Sequence, residues 1–323
     1  MKVLVTGGAG FIGSHLCAKL TGRGIDVRVL DDFSTGRWRN LVNLRVEVVA
    51  GSVTDTTTVD RVARDVDAIV HLAAVASVPE SIKSPVRTHD VNVTGTLNVL
   101  EAARVPNAHV VVASSAAVYG NASGTVGAPF SPPRPLTPYA ASKLTTETYA
   151  TSWQESYGLP TLPLRFFNVF GPRQWPGDAY AAVVPAFAAA AVFGQPLLIH
   201  GDGVQTRDFI PVDTVASILA DAVEDRVTSP APIDVAHGTR TSLLELADIL
   251  EGILQRRLRR EFLPARAGDI RHSSGDGSAL RALFPGLPPV DLHAALGETV
   301  AWWRTQPATG STDSSPKAGV QAA

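Results

Sequence analysis

A glycine-rich segment at the start of the chain limits the possible folds more strongly than any other feature. Residues 3–5 form a short apolar run typical of a buried strand, and Gly7, Gly10 and Gly13 follow at regular intervals. An apolar helical pattern then begins at Phe11. The free N–H groups and the positive dipole end of a helix favour a phosphate group at such a turn. The segment therefore predicts a strand, a tight turn and a helix whose N-terminus binds the diphosphate of a dinucleotide.

Each of these three glycines has its own structural task. Gly7 permits the tight turn, Gly10 leaves the backbone open to a diphosphate, and Gly13 lets the helix pack close to the strand. The spacing is GxxGxxG rather than the GxGxxG of many dehydrogenases, so the glycines alone are weak support. The strand before them, the helix after them and an acidic residue downstream strengthen the prediction.

That acidic residue is Asp31, which ends a second apolar strand over residues 26–30 and follows Gly13 by 18 residues. A carboxylate in this place accepts both hydroxyls of an adenosine ribose and repels a 2′-phosphate, which favours NAD over NADP. Polar residues 32–36 continue as a loop near the same ribose.

The composition excludes several classes of protein. The chain has 323 residues and a formal net charge of −2, so no basic surface for nucleic acid is expected. The single cysteine, Cys17, cannot form an internal disulfide and is predicted to be a buried core residue. The longest apolar stretch, residues 179–193, contains Pro185 and is too short to span a bilayer. We therefore expect a cytoplasmic protein that binds no membrane, no nucleic acid and no metal ion.

Strand and helix patterns alternate through the first half of the chain. Beyond residue 31 the predicted strands cover 45–49, 68–72, 109–113 and 161–166, and the predicted helices cover 57–65, 85–104 and 138–157. This alternation is typical of a parallel sheet with helices on both faces, so we predict an α/β fold with a Rossmann doubly wound sheet. Pro163 cannot donate to a sheet ladder, which predicts an edge position or a bulge for its strand.

The character of the sequence changes after Asn168. Further helices are predicted over 179–193, 212–223 and 242–254, and a short strand over 196–200. Thr241 or Ser242 caps the last of these helices, with Glu245 at the spacing of a capping box.

These patterns predict two domains. We expect an NAD-binding domain over residues 1–168, to which a segment near 205–236 returns, and a smaller α/β substrate domain over 169–305. Residues 306–323 are rich in small and polar residues and lack periodicity, which predicts a disordered tail.

Three further residues, Ser115, Tyr139 and Lys143, carry the chemistry. Tyr139 and Lys143 stand four residues apart at the start of a predicted helix, so both project from one face. An ammonium beside a phenol lowers the pKa of the phenol, and a phenolate near neutral pH is a usable general base. Ser115 closes a predicted strand at the carboxyl edge of the sheet, where ligands bind in such folds. Its hydroxyl is placed to hydrogen-bond the reacting oxygen and relay the proton.

A set of motifs along the chain resembles the extended short-chain dehydrogenase/reductase superfamily, of the NAD-dependent epimerase/dehydratase type. The motifs are TGGAGFIG (6–13), the strand end at Asp31, HLAA (71–74), NVTGT (92–96), SSAAVYG (114–120), YAASK (139–143) and RFFNVFGPRQ (165–174). Within that superfamily the chain is most similar to the UDP-sugar 4-epimerases. The resemblance extends from Met1 to about Trp303.

The resemblance implies 4-epimerisation of a UDP-hexose with tightly bound NAD. Tyr139 would remove the proton of the sugar 4-hydroxyl, helped by Ser115, while hydride passes from C4 to NAD. Return of the hydride to the other face of the 4-keto sugar would give the epimer without net redox change. Lys143 would also hold the nicotinamide ribose. The expected substrates are UDP-glucose and UDP-galactose, with UDP-GlcNAc as an alternative.

The resemblance also implies the residues around each ligand. The implied cofactor-binding residues are Gly7, Gly10, Phe11, Ile12, Gly13, Asp31, Asp32, Ser34, Thr35, Gly36, Ser52, Val53, Leu72, Ala73, Ala74, Asn92, Ser114, Tyr139, Lys143 and Phe166. The implied substrate-binding residues are Ser77, Val78, Ser115, Ala116, Tyr139, Asn168, Val183, Leu198, His200, Arg207, Arg266, Asp269 and Ser273. Asn168, Arg207 and Arg266 match residues on the substrate diphosphate, and Asp269 matches the acid on the uridine ribose. Arginine suits this task because its guanidinium fork fits phosphate oxygens.

Two departures from the family pattern concern the reaction and the cofactor. Ala116 and Ala117 stand where dehydratases and decarboxylases usually carry an acid, which disfavours elimination from the sugar. Ser52 stands where many relatives carry an Asp that receives the adenine amino group, and a hydroxyl replaces it only weakly.

Two further departures concern the sugar. Ser273 stands where strict UDP-glucose epimerases carry a bulky Tyr, so a 2-N-acetyl group has room. Trp175 stands where some glucuronate epimerases carry an arginine for the carboxylate. This argues against UDP-glucuronate, although Arg173 is close enough in sequence to keep a UDP-glucuronate 4-epimerase as an alternative.

Other enzymes of the same fold and a non-catalytic nucleotide-binding protein are the remaining alternatives. A reductase would consume a reduced cofactor, usually NADPH, which Asp31 disfavours. The intact set of Ser115, Tyr139 and Lys143 disfavours a protein without catalysis. Relatives usually dimerise through two helices that match residues 85–104 and the Tyr139 helix, which predicts a homodimer.

Overall fold

The computed structural model describes residues 1–122, 124–126, 131–176, 182–265 and 270–307. Its strands are β1 (Lys2–Thr6), β2 (Asp26–Asp31), β3 (Val46–Ala50), β4 (Ala68–His71), β5 (His109–Ser115), β6 (Gly124–Val126), β7 (Thr161–Phe166), β8 (Asn168–Phe170), β9 (Leu197–His200), β10 (Thr206–Arg207), β11 (Phe209–Pro211), β12 (Ile233–Val235), β13 (Thr241–Ser242), β14 (Arg260–Leu263) and β15 (His272–Gly275). Its helices are α1 (Phe11–Gly22), α2 (Thr56–Ala63), α3 (Val78–Lys83), α4 (Pro85–His89), α5 (Gly95–Arg104), α6 (Pro138–Tyr157), α7 (Val183–Phe193), α8 (Val212–Glu224), α9 (Leu243–Leu254), α10 (Ser278–Leu283) and α11 (Leu292–Arg304).

A central sheet of seven strands has the order β12-β7-β5-β4-β1-β2-β3. Every neighbouring pair in it is parallel. The strand order reverses direction between β1 and β4, and the carboxyl ends of these strands form the crevice where ligands bind in such sheets. The predicted α/β fold with a Rossmann doubly wound sheet is confirmed.

Helices cover both faces of the sheet because its strands are apolar on both sides. Val3 and Val5 of β1 pack in one buried cluster with Leu16 of α1 and residues of α8. Leu4, between them, points to the opposite face and packs with Leu100 of α5. This follows from the alternation of side chains along a strand. Cys17 is fully buried in the first cluster, as predicted.

Local capping signals fix the ends of two helices at the predicted residues. Thr137 accepts a hydrogen bond from a backbone N–H in the first turn of α6 at 3.2 Å, and Gly158 ends the helix in the left-handed conformation. Ser242 and Glu245 form the predicted capping box of α9.

Two expectations about the central sheet and its helices are corrected. The helix predicted over residues 85–104 is divided into α4 and α5 by a π-helical turn at Asp90–Thr94. The strand of Pro163 is not an edge strand, because β7 lies between β5 and β12. The pairing of β7 with β12 begins only at Leu164, so the missing N–H of Pro163 precedes that ladder.

The remaining strands form small sheets beside the central one. One has the order β13-β10-β15-β6, and β8 pairs with β11 and β9 with β14. Helices α7, α9 and α11 enclose a third buried cluster with Phe170 and Phe209. The division into two domains stays a prediction. Residues 177–181, which include the start of the predicted helix 179–193, and residues 308–323 of the predicted tail lie outside the described residues. Among the described helices, none has the length and apolar character that crossing a membrane requires.

Asp208 connects these small sheets to the end of the central sheet. It is fully buried, and its Oδ2 accepts hydrogen bonds from the backbone N–H groups of Gly238 at 2.8 Å and His237 at 3.1 Å. The same oxygen accepts from Gly275 N at 3.3 Å, and Oδ1 accepts from Thr239 Oγ1 at 2.7 Å. One carboxylate therefore holds the segment after β12 and the end of β15 against the β10–β11 segment.

We expect Asp208→Asn to lower the free energy of unfolding by about 2–4 kcal/mol, because an amide N–H₂ would face donors in a buried site. Chemical denaturation monitored by circular dichroism measures this change. Asp202→Asn is the matched control, since Asp202 is exposed and its partners are Val204 N at 3.2 Å and Arg271 at 2.8 Å. Equal losses in the two variants would contradict the role of Asp208.

Candidate active site

The glycine turn brings the backbones of β1, α1 and β4 close together. Gly7 has a φ of 71°, and its N–H donates to Leu30 O at 2.8 Å. A Cβ at Gly7 would lie 2.8 Å from the backbone nitrogen of Ala73, and a Cβ at Gly13 would collide with the carbonyl oxygen of Gly7. The helix that begins at Phe11 therefore sits directly on the turn, with the N–H groups of Phe11 and Ile12 in its first turn.

Asp31, which is predicted to bind the adenosine ribose, also holds the glycine turn in place. Its Oδ2 accepts a hydrogen bond from Ala9 N at 2.9 Å, and its Oδ1 accepts from Phe33 N at 2.8 Å. Burial raises the pKa of Asp31, and the two backbone hydrogen bonds oppose that effect. Gly36 lies against the carboxylate, where a Cβ would be 2.5 Å from Oδ1. The sequence predicted the ligand contact but missed the contact with the glycine turn.

The loop after Asp31 and the end of β3 flank the predicted adenosine site. Asp32 Oδ1 accepts hydrogen bonds from the backbone N–H and the hydroxyl of Ser34 at 2.9 and 2.6 Å. Thr35 and Gly36 complete the loop. Ser52 Oγ lies 2.9 Å from Thr54 Oγ1, so the hydroxyl that replaces the family's Asp already has a local partner.

Buried polar contacts support the end of β4. Leu72 N donates to Thr6 O at 3.1 Å and leads into residues 73–74. Asn92, in the π-helical turn, accepts from Val75 N at 2.7 Å and donates to Ser142 Oγ at 2.9 Å. The Asn92 side chain thus binds other residues of the protein and orients the loop after β4. Val53, from the β3 side, is buried against Gly95 of α5.

Ser115 and Tyr139 meet at the end of β5. Ser115 is the last residue of the strand, and its hydroxyl accepts a hydrogen bond from Ala117 N at 3.2 Å. A hydrogen bond joins the side chains of Ser115 and Tyr139. Ala116 begins the 3₁₀ turn that follows, and Phe166 closes the neighbouring strand β7 with its side chain in the core.

Lys143 lies one helical turn after Tyr139 and is buried. Its Nζ donates to Ala113 O at 2.8 Å, on the strand that ends at Ser115. Burial lowers the pKa of Lys143 to about 8, and the carboxylate of Glu147 opposes part of this effect.

The expected lowering of the Tyr139 pKa by Lys143 is not found in this structure. Burial raises the pKa of Tyr139, and the hydrogen bond with Ser115 is the effect that lowers it. The ammonium of Lys143 is engaged with the Ala113 carbonyl. A spacing of four residues places two side chains on one helix face but does not aim one at the other.

Three predicted substrate residues are brought together by strand pairing. Arg207 of β10 stands opposite Ser273 of β15 in parallel register, and its Nη1 donates to Thr206 O at 2.9 Å. Asn168 begins β8, and its Nδ2 donates to Asp208 O at 3.2 Å. The residue after Arg207 therefore contacts Asn168 directly.

Other predicted substrate residues lie on separate elements. Ser77 is the N-cap of α3, with its hydroxyl accepting from Glu80 N at 3.2 Å, and Val78 follows it. Leu198 and His200 lie on β9, where Leu198 is half exposed and His200 Nδ1 is 3.2 Å from Pro264 O. Val183 is the first residue of α7. Arg266 and Asp269 lie outside the described residues.

Trp175 packs against the loop after β2. The guanidinium carbons of Arg37 and Arg39 are 4.3 and 4.6 Å from the centroid of its ring. The rings of Trp302 and Trp303 are 5.3 and 5.2 Å away. This aromatic cluster joins the loop after β2 to α11.

Arg173 contacts α1, in the part of the chain predicted to bind NAD. Its Nη1 donates to Ser14 O of α1 at 3.2 Å, and its backbone has a positive φ of 66°. Arg173 and Trp175 are the two positions that were compared with the carboxylate-binding arginine of glucuronate epimerases. They therefore contact α1 and the loop after β2.

A buried polar network behind Ser115 was missed by the sequence analysis. Ser114 Oγ donates to Glu147, and Glu147 forms an ion pair with Arg165 of β7 at 2.8 Å. Tyr119 and Asp234 extend the network. Two signals were available: Glu147 continues the four-residue spacing of Tyr139 and Lys143, and Arg165 is a charge within an apolar strand.

Comparison with known proteins agrees with this geometry. A family model described as the NAD dependent epimerase/dehydratase family matches residues 3–236. The chain is 35% identical over 317 residues to a UDP-glucose 4-epimerase of Mycolicibacterium smegmatis, covering 95% of this chain and 99% of that protein. It is 34% identical over 316 residues to UDP-glucuronic acid decarboxylase 1 of Arabidopsis thaliana, covering 95% of this chain and 70% of that protein.

A solved structure gives the same result. The UDP-N-acetylglucosamine 4-epimerase of Methanobrevibacter ruminantium, in complex with UDP-N-acetylmuramic acid, has a TM-score of 0.88 and 36% identity, covering 94% of this chain and 97% of that one. The predicted resemblance, the NAD cofactor and the isomerase class are confirmed. The family model spans the strands and helices that build the glycine turn and the Ser115–Tyr139–Lys143 set, so the chain belongs to the NAD dependent epimerase/dehydratase family.

Proposed function

We propose that this enzyme interconverts the 4-epimers of a UDP-hexose through a transient 4-keto sugar. UDP-glucose and UDP-galactose are the first candidates, and UDP-GlcNAc is the second. The observation that carries the proposal is the grouping of Ser115, at the carboxyl end of β5, with Tyr139 and the buried Lys143 on one face of α6. It is supported by the activities of two of the relatives, which are UDP-sugar 4-epimerases.

The residues present fit NAD at the glycine turn. Among the described residues, a Cβ at Gly10 would have no neighbour within 4 Å except Gly7 O, at 3.1 Å, and the turn is followed at once by the N-terminus of α1. Asp31 is buried and ends β2, where it is placed for the adenosine ribose. Ser52 is expected to hold the adenine amino group weakly, because its hydroxyl already bonds Thr54.

NAD, when bound, supplies a hydride acceptor and the positive charge of its nicotinamide ring. Tyr139 Oη accepts the proton of the sugar 4-hydroxyl, and Ser115 Oγ holds the reacting oxygen and relays that proton. Because burial keeps the pKa of Tyr139 high, the phenol becomes a base only with positive charge close to it. Lys143 is the protein cation on the same helix face, and its ammonium also suits the nicotinamide ribose hydroxyls.

The nucleotide part of the substrate lies, in this proposal, on the small sheets. Asn168 and Arg207 hold the diphosphate, and Arg266 and Asp269 complete the UDP site. Ser77, Val78 and Ser273 surround the sugar, whereas Val183 and the β9 residues Leu198 and His200 surround the uracil. The pairing of β10 with β15 supports this arrangement because it sets Arg207 beside Ser273.

The main alternative is an enzyme that acts on UDP-glucuronate. One relative is a UDP-glucuronic acid decarboxylase. Ala116 and Ala117 offer no carboxylate at the 3₁₀ turn, and Arg173 donates to Ser14 O instead of facing β5. These observations favour a neutral hexose and epimerisation over decarboxylation.

We further propose the two predicted domains, a homodimer and a location in the cytoplasm. Residues 1–168, with the return through α8 and β12, form the NAD-binding domain, and residues 169–305 form the substrate domain. The dimer contact lies on α4, α5 and α6. Val86 of α4 and the nearby Ile82 of α3 support this contact, because they are 72% and 62% exposed.

Tyr139→Phe tests the proposed function. We expect epimerisation of UDP-glucose to fall by about 10²–10⁴-fold, because the variant retains the ring and loses the proton acceptor. Proton NMR of the anomeric signals, without added cofactor, measures the reaction. Tyr149→Phe is the matched control on the same helix, where the ring packs edge-to-face against Trp153 with the ring centroids 5.6 Å apart. An active Tyr139→Phe enzyme would falsify the mechanism.

Ser273→Tyr tests the sugar. We expect turnover of UDP-GlcNAc to fall by about tenfold or more relative to UDP-glucose, because the larger ring would occupy the space of the 2-N-acetyl group. Both sugars are measured with the same variant, because misfolding would lower the two rates equally. If the ratio of the two rates does not change, Ser273 does not face the sugar C2.

Val86→Asp tests the dimer. We expect sedimentation velocity to show a monomer, since a charge at the centre of the contact would lose its hydration. Val42→Asp is the control, because Val42 is 60% exposed and lies outside these helices. A dimer in the Val86 variant as stable as that in the control would contradict the proposed contact.

A further inference from the structure

Glu147 continues the helix face that carries the reaction. It follows Lys143 by four residues, as Lys143 follows Tyr139, and it is only 2% exposed. Both of its oxygens accept hydrogen bonds from Arg165 of β7, from Nε and Nη2, at 2.8 Å each. This two-pronged geometry fixes the distance between α6 and the sheet. A buried ion pair is weak support for stability by itself, so its position needs another explanation.

The pair is joined to the residues beside the reacting groups. Ser114, which precedes Ser115, donates its hydroxyl hydrogen bond to Glu147 Oε1 and also lies 3.4 Å from Lys143 O. Lys143 Nζ in turn donates to Ala113 O at 2.8 Å. The end of β5 and the first turns of α6 are therefore tied by three polar contacts within one buried space.

The other end of the pair reaches the turn that follows Ser115. Arg165 Nη1 donates to Tyr119 Oη at 2.7 Å. Tyr119 Oη lies 2.8 and 2.9 Å from the two oxygens of Asp234 on β12. Since Tyr119 is in the 3₁₀ turn that starts at Ala116, both sides of Ser115 are held by this network.

Two cations and two carboxylates share this interior, namely Lys143, Arg165, Glu147 and Asp234. The carboxylate of Glu147 raises the pKa of Lys143, whereas burial, the larger effect, lowers it to about 8. His71 faces Lys143 from β4, but burial lowers the pKa of His71 to about 3, so it carries no charge near neutral pH.

Asp234 closes the far end of this set of charges. Burial raises the pKa of Asp234 to about 6, Tyr119 and Arg165 oppose the rise, and the charges of Glu147 and Asp276 add to it. The buried charges therefore balance between about pH 6 and pH 8, with Glu147 the carboxylate on the helix of Lys143.

Resting on the proposed function above, we propose that Glu147 is a positioning residue for epimerisation. It fixes Lys143 and the strand end of Ser115 in one arrangement through Arg165 and Ser114. Its negative charge keeps Lys143 in the ammonium form, which supplies positive charge on the helix face of Tyr139 and binds ribose hydroxyls.

The test compares Glu147→Gln with Glu147→Asp, which keeps the charge. For each variant, kcat for UDP-glucose and the NAD retained through gel filtration are measured between pH 6 and 10. Removing the neighbouring carboxylate lowers the pKa of Lys143, so kcat and retained NAD should both decline at a pH lower by about one unit in Glu147→Gln. Glu147→Asp should keep the position of the decline while losing part of kcat.

Val110→Ala is the control for simple destabilisation, because Val110 is fully buried in the first half of β5. It should lower the thermal midpoint without moving the alkaline decline. If Glu147→Gln does not fold, the double variant Glu147→Gln, Arg165→Met replaces it, because it removes the charge of Arg165 together with that of Glu147. The same shift is expected in the double variant.

The proposal would be overturned if kcat and retained NAD declined at the same pH in Glu147→Gln, or in the double variant, as in Val110→Ala. The ion pair of Glu147 and Arg165 would then be a structural feature. An equal shift in Glu147→Asp would overturn it too, because the charge is retained there. If the unmodified enzyme converts no UDP-sugar, the proposed function fails, but the pH dependence of NAD retention still decides the role of Glu147.

Discussion

The contact of α1 with the turn after β1 is the constraint on which the rest of the site depends. Gly13 lies on the carbonyl of Gly7, and Gly7 lies on the backbone of Ala73, with no space for a side chain at either glycine. Three backbones therefore meet at the carboxyl edge of the sheet. This approach aims the N-terminus of α1 into the crevice between β1 and β4, so the place of a diphosphate is set by packing before any ligand contact is made.

Several polar residues of the site act first on the protein itself. Asp31 binds Ala9 N, Asn92 binds Val75, and Lys143 binds Ala113 O. Each is a residue that the sequence analysis assigned to the cofactor. Loops that are already held in place lose less conformational entropy when a ligand binds. Preorganised dipoles and charges are also the usual main source of transition-state stabilisation. The structure shows the supporting role, and the predicted binding role would use the same side chains.

The sequence predicted what local signals determine. Helix α6 occupies the predicted residues because Thr137 caps one end and Gly158 the other, and the parallel sheet follows from apolar strands alternating with helices. The errors concern relations between distant residues. Pro163 was expected at an edge or a bulge, but its strand is central, and the partner strand β12 comes some seventy residues later and pairs only after the proline. The network from Glu147 to Asp234 likewise joins residues whose sequence separation hides their contact.

The same limit applies to the electrostatics of the base. From the sequence, Lys143 beside Tyr139 implied a lowered phenol pKa, but burial raises it and the ammonium turns to the β5 carbonyl. Desolvation and side-chain direction are properties of the packed interior, which spacing along a helix does not report. A base with a high pKa is nevertheless suited to epimerisation. The proton that it takes from the 4-hydroxyl must be returned to the same oxygen, so a phenol that holds its proton until positive charge arrives can serve both directions of the reaction.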